Sequence, residues 1–411
     1  MSNRDAPNNG TQNQIYFMRV DGGEAWKVTD AREGVTDFNF TRDGKSVIYR
    51  TGRAGEQQLY RLPIAGIEES KPEQLTRQSA GVGDWSITPD DKRIYFVTDD
   101  TLDADERARR EKRFTVNIRN AETPLASLWA LDLADKKATR LTNDQTITVA
   151  NFTISPDSRY VGFRGTSANR YERNITESSI NSDLFLLDGS NGQIERLTNN
   201  KEVGEGAISF STDSKWIAFS APDDLTRYTM KNQRVYLRAV SDRGGQWRKL
   251  GASFDGNVTT GFWSEDGKTI YFNEGIRATN QLMALDVASG TVKQVTNEKA
   301  SLSVSRDQNT GKILINYSDP RTPGSAFTVA SIDQVANKSA WKQLTDPNPQ
   351  VRSFTLGDAE EITWKSKDGK MVGGVLLKPA NYQAGQRYPL IVAIHGGPAA
   401  ADVLGFNGGY G

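Results

Sequence analysis

Near its C-terminal end the chain reads Ile394-His395-Gly396-Gly397-Pro398, and His395 is the sole histidine in 411 residues. A histidine and paired glycines directly after an apolar run, Leu390 to Ile394, have the make-up of an oxyanion loop. Glycine lets backbone N–H groups approach a carbonyl oxygen that gains negative charge during acyl transfer. The same residues also make ordinary turn punctuation after a strand, and His395 has equal standing as a structural residue bonded to neighbouring backbone. His395, Gly396 and Gly397 are therefore candidate site residues, and none of them is a nucleophile. No Gly-x-Ser-x-Gly phrase occurs, so no Ser-Asp-His triad can be assembled from this chain. With no cysteine, thiolate nucleophiles, disulfides and thiolate metal sites are excluded as well. No cofactor or metal is expected.

The other residues whose spacing invites chemistry are aspartates. A phrase of Ser or Thr, any residue, Asp, a turn residue and usually Lys or Arg recurs six times before residue 345, with its aspartates at Asp43, Asp90, Asp157, Asp213, Asp266 and, in a looser copy at Ser305-Arg306-Asp307, Asp307. Calcium would need several oxygen ligands within a dozen residues, which no copy supplies. Tight hairpin turns account for the aspartates fully, because Asp accepts local backbone hydrogen bonds and Gly, Asp or Ser tolerates the turn.

The elements around these turns set the fold. Apolar strands such as Ile94-Tyr95-Phe96-Val97 follow the turns, a second hairpin comes next, and each unit closes on a phrase such as Gln74-Leu75-Thr76 or Arg196-Leu197-Thr198. Four-stranded units at this spacing are the signature of an all-β chain built as a β-propeller. The closing phrase occurs seven times, first at Trp26-Lys27-Val28-Thr29, against six turns. Seven blades are expected over residues 14–345, the first of them incomplete, its inner strands having preceded Met1.

Lys plus Arg and Asp plus Glu are 51 each, so no net field attracts nucleic acid or an anionic membrane. The first fourteen residues carry no apolar segment, and no apolar run is long enough to span a bilayer. A protein without cysteine suits cytoplasm and periplasm equally. Two insertions interrupt the repeat, Asp99 to Pro124 with a mixed-charge helical run from Asp103 to Arg113, and Ser167 to Ser182. Such loops on a rigid scaffold read either as solvated surface or as projections toward a partner domain.

Beyond Thr345 the repeat gives way to Asp346-Pro347-Asn348-Pro349, then to a hairpin turning at Asp368-Gly369, then to a strand expected over Tyr388 to Ile394 in the middle of a sheet. A propeller followed by such a hairpin and by Ile-His-Gly-Gly-Pro resembles the prolyl oligopeptidase family, nearest to its acylaminoacyl-peptidase and dipeptidyl-peptidase-like branches. The resemblance covers essentially the whole chain. It implies that residues 358–411 begin an α/β-hydrolase domain, that His395, Gly396 and Gly397 belong to its oxyanion loop, and that the triad lies beyond residue 411. It also implies a short peptide as substrate. A non-enzymatic propeller of the periplasmic TolB kind and a catalytically dead relative stay open as alternatives.

Overall fold

The computed structural model describes residues 1–4, 10, 12–18, 23–67, 69–100, 104–112, 125–143, 147–167, 182–200, 202–226, 231–308, 310–397 and 400–406. Their regular secondary structure is almost wholly β-strand. Their single α-helix, Ala104–Glu111, lies in the mixed-charge run of the first insertion. The second insertion lies outside the described residues, apart from its end residues.

Four antiparallel four-stranded meanders span residues 35–74, 85–140, 147–196 and 209–250. Two more, at residues 262–294 and 301–343, are joined through one residue pair, Asn280 and Ser301. Strands Tyr16–Phe17 and Trp26–Lys27 pair alone. A meander repeated in series is the blade unit of a propeller, because it leaves only short edges. By compactness the chain forms two units, residues 1–217 with 224–229 and 240–245, and residues 218–223, 230–239 and 246–411.

In the first unit the second and third strands of each meander carry aromatic residues directly opposite each other. Tyr49 pairs with Tyr60, Phe96 with Trp129 and Phe163 with Phe185, their ring centroids 5.7, 6.3 and 5.2 Å apart. Such cross-strand pairs fix register as well as burying surface. One core cluster unites Ile48 and Leu59 of one meander with Trp85, Ile94, Phe96 and Leu131 of the next. In the second unit Leu302, Ile313, Ile315 and Tyr317 pack with Leu282.

The turn phrase works through its side chains. Ser155 Oγ donates to Asp157 Oδ1 at 2.5 Å and accepts from Tyr160 N at 2.8 Å, while Arg159 N donates to the same carboxylate oxygen at 3.1 Å. Thr41 and Asp43, Thr88 and Asp90, Ser211 and Asp213, and Ser264 and Asp266 repeat the hydroxyl-to-carboxylate bond at 2.6–2.8 Å. The Lys45 backbone N–H and the Thr41 hydroxyl hold the Asp43 carboxyl below its ordinary range. These aspartates are turn acceptors.

The looser copy differs. Asp307, not Ser305, takes the first place, since Asp307 N donates to Lys312 O as Ser155 N does to Tyr160 O. Its carboxylate then accepts from Thr310 N at 2.6 Å. An Asp has the same acceptor reach as a Ser hydroxyl plus its charge, so the phrase shifts by two residues without loss of the turn. The closing threonines also share one role. Thr76, Thr142, Thr198 and Thr296 each accept a backbone N–H of the third strand at 2.9 Å, from Leu59, Leu128, Leu184 and Leu282. Gly251 follows Leu250 at that place in the meander of residues 209–250.

Successive turns are also tied to each other. Asp91, Ser158 and Ser214 occupy the left-handed region, with φ of 57°, 64° and 58°. Each reaches back to the preceding turn: Asp91 accepts from Arg42 N and Asp43 N at 2.8 and 2.9 Å, Ser158 from Asp90 N at 3.1 Å, and Ser214 from Asp157 N at 3.0 Å. A side chain here costs about 1 kcal/mol of backbone strain that glycine avoids, and the bond returns about as much. Ser158→Ala keeps the strain and loses the bond, so it should destabilise by roughly 1–2 kcal/mol. Ser158→Gly loses both and should lie close to the parent. Equal denaturation midpoints for the two variants would remove the turn-to-turn bond from this account.

Candidate functional site

The C-terminal region begins with the short 3-10 turn Pro349–Ser353 and the hairpin of Ala359–Lys365 with Met371–Leu377. Ser366 to Lys370 forms its turn in the manner of the blades, with the Ser366 hydroxyl on Asp368 and Lys370 N on the same carboxylate oxygen at 3.2 Å. Gly369 supplies the positive φ of 82° there.

The strand expected over Tyr388 to Ile394 is not formed. That segment belongs to no sheet, and Leu390, Ile391, Val392 and Ile394 are 76, 90, 72 and 87% exposed. A strand of this composition is held by burial on both faces and by partners on both edges. The nearby hairpin strands pair with each other and not with it.

His395 is likewise exposed, its Nδ1 3.1 Å from the carbonyl oxygen of Gly396. Gly397 has φ of 143°, and a Cβ placed on Gly396 would meet nothing within 4 Å. The space around Gly396 is open among the described residues. Pro398 lies outside the described residues. Beyond it the chain returns to the blades: Leu404 N donates to Ala278 O at 2.7 Å and Phe406 N to Ser318 Oγ at 2.8 Å. No group of three His, Cys, Asp or Glu residues suited to a metal exists among the described residues. No helix among them is long and apolar enough to cross a membrane.

A polar cluster that no motif announces lies at the meander of residues 147–196. Glu205, 3% exposed, sits beside Arg164 and Asn200, with Asp183 and Arg196 adjoining. Its sequence setting, Gly204-Glu205-Gly206, carries no periodicity that separates it from a surface loop.

No family model matches the chain. It is 24% identical, over 93% of its length, to the uncharacterized peptidase YuxL of Bacillus subtilis, and covers 60% of that protein. It is 21% identical, over 96% of its length, to dipeptidyl-peptidase 5 of Porphyromonas gingivalis, and covers 59% of it. The chain is a relative of the prolyl oligopeptidase-family peptidases. In fold this relative is similar to acylaminoacyl peptidase of Pyrococcus horikoshii, with a TM-score of 0.61 at 13% identity, over 96% of this chain and 57% of that one. It spans about three fifths of the length of the curated relatives it matches. Its four-stranded meanders are of the kind that form the blades of a propeller.

Proposed function

We propose that the chain is the propeller and oxyanion-loop portion of a serine peptidase that hydrolyses short peptides through an acyl-enzyme. Its blades number seven with the first incomplete, residues 358–411 begin an α/β-hydrolase domain, and the triad lies after Gly411. The observation that carries this reading is the phrase His395-Gly396-Gly397 behind an apolar run, in a chain matched nearly end to end by proteins named as peptidases.

In that chemistry a serine attacks the scissile carbonyl, a histidine takes its proton and returns it to the leaving amine, and an acid orients the histidine. Residues 395–397 would supply N–H groups to the oxyanion of the tetrahedral intermediate. His395 is not the base, since in this fold class the catalytic histidine follows the nucleophile and the acid along the chain.

A fluorophosphonate probe tests this directly. The 411-residue chain should show no labelled serine and no hydrolysis of chromogenic peptides, whereas a form extended beyond Gly411 should show both. Labelling within residues 1–411 would place the nucleophile elsewhere and overturn the reading. In the extended form, His395→Ala should lower kcat and leave the melting profile of the blades unchanged.

A further inference from the structure

Glu205 lies in the connection from strand Gln193–Arg196 to strand Ser209–Phe210, and its side chain is enclosed although it carries a carboxyl. Three elements face it. From strand Tyr160–Ser167, the Arg164 guanidinium donates to the backbone oxygen of Glu205 and not to its carboxyl. From the connection itself, the Asn200 amide donates to Oε1. From strand Ser182–Asp188 comes Asp183, which binds Asn200 N at 3.2 Å and pairs with Arg196. Among the described residues, Oε2 is buried without a partner, and so is Nε of Arg164.

A carboxylate so placed has lost its water and, among the described residues, pairs with no cation on either oxygen, although the Arg164 charge lies near; Asp183 adds a like charge. A proton on the carboxyl is the least costly remedy. We propose that Glu205 is a pH-sensitive latch: with its carboxyl neutral, the connection of residues 202–208 stays closed on strand Tyr160–Ser167 through the bond from Arg164 to the Glu205 backbone oxygen, and ionisation of the buried carboxyl loosens it.

Burial is the main cause that pushes the Glu205 carboxyl up, to about 7, with Asp183 acting in the same direction and Asn200 and Thr198 in the opposite one. The folded form thus keeps a proton that the opened form releases at ordinary carboxyl values. Stability from this group is complete below the opened-state value near 4.5 and is lost as pH rises through about 7.

Hydrogen exchange corrected for intrinsic rates is the test, at about pH 5.5 and about pH 8.5. Protection of residues 202–208 should be roughly tenfold or more greater at the lower pH, with strand Arg93–Asp99 as an internal reference that does not change. Glu205→Gln, neutral at every pH, should abolish the difference. Equal protection of residues 202–208 at both pH values in the parent protein overturns the latch without any variant. A pH dependence that survives in a folded Glu205→Gln protein assigns it to another group and overturns it equally.

Discussion

Phe96→Ala is expected to lower the stability of its blade by about 3–5 kcal/mol, a large fraction of what a domain of this size commands. Phe96 is fully enclosed in strand Arg93–Asp99, lies face to face with Trp129, and belongs to the cluster that joins two neighbouring meanders. Removing the ring deletes buried apolar surface and leaves a cavity that the flanking strands cannot close, since their positions are set by hydrogen bonds on both edges. The loss falls on a seam between repeats. In an array where each unit leans on its neighbours, weakening one seam should also lower the cooperativity of unfolding. Ile194→Ala is the control: its side chain is 40% exposed, and the change should stay within about 1 kcal/mol. Denaturant midpoints give the comparison. Indistinguishable midpoints for Phe96→Ala and the parent would mean that this cluster does not hold the blades together.

The blades were legible in the sequence because their turns are made by side-chain chemistry, and side-chain identity is what a sequence states. Asp157, Asp213 and Asp266 act as turn acceptors through bonds that their neighbours Ser155, Ser211 and Ser264 complete. The same chemistry explains the one place where reading by phrase goes astray. At Asp307 a carboxylate does the work of the hydroxyl, so the copy sits two residues later than its letters indicate. At Ser366 to Gly369 the phrase makes the same turn in the hairpin expected after the repeat, so it marks a hairpin and not a blade.

The candidate site was less legible, for two different physical reasons. Glu205 gives no local signal because what pushes its carboxyl up is burial first and then Asp183, more than twenty residues away in the chain. The apolar run ending at Ile394 does give a strong local signal, and it misleads for strand formation. Composition reports what a segment would gain from a sheet, whereas a strand exists only where neighbours offer hydrogen bonds and cover.

That distinction sets the largest contrast expected in the molecule, between Leu390–Ile394 and strand Arg93–Asp99. Both segments carry an apolar run, but Ile94, Tyr95 and Phe96 are almost fully enclosed and paired on both edges, whereas Leu390, Ile391, Val392 and Ile394 are at least 72% exposed and lie outside any sheet. Amide exchange follows the free energy of opening, so residues 390–394 should exchange at nearly the intrinsic rate, and the strand about a thousandfold more slowly or beyond. The hairpin of Ala359–Lys365 with Met371–Leu377 should fall between them, since it is paired internally but leaves Trp364, Met371 and Leu377 exposed. Limited proteolysis should cut first within residues 388–397, because a protease needs an extended, accessible backbone. An uncharged exposed run of this kind also favours self-association, so the preparation should lose material as concentration rises, and Val392→Lys should restrain that loss. In the form extended beyond Gly411, the proposed hydrolase sheet would enclose the same residues, and their exchange should slow toward that of the blade strand. Protection of Leu390–Ile394 in the 411-residue chain equal to that of Arg93–Asp99 would contradict the exposed segment and, with it, the view that its sheet partners lie after Gly411.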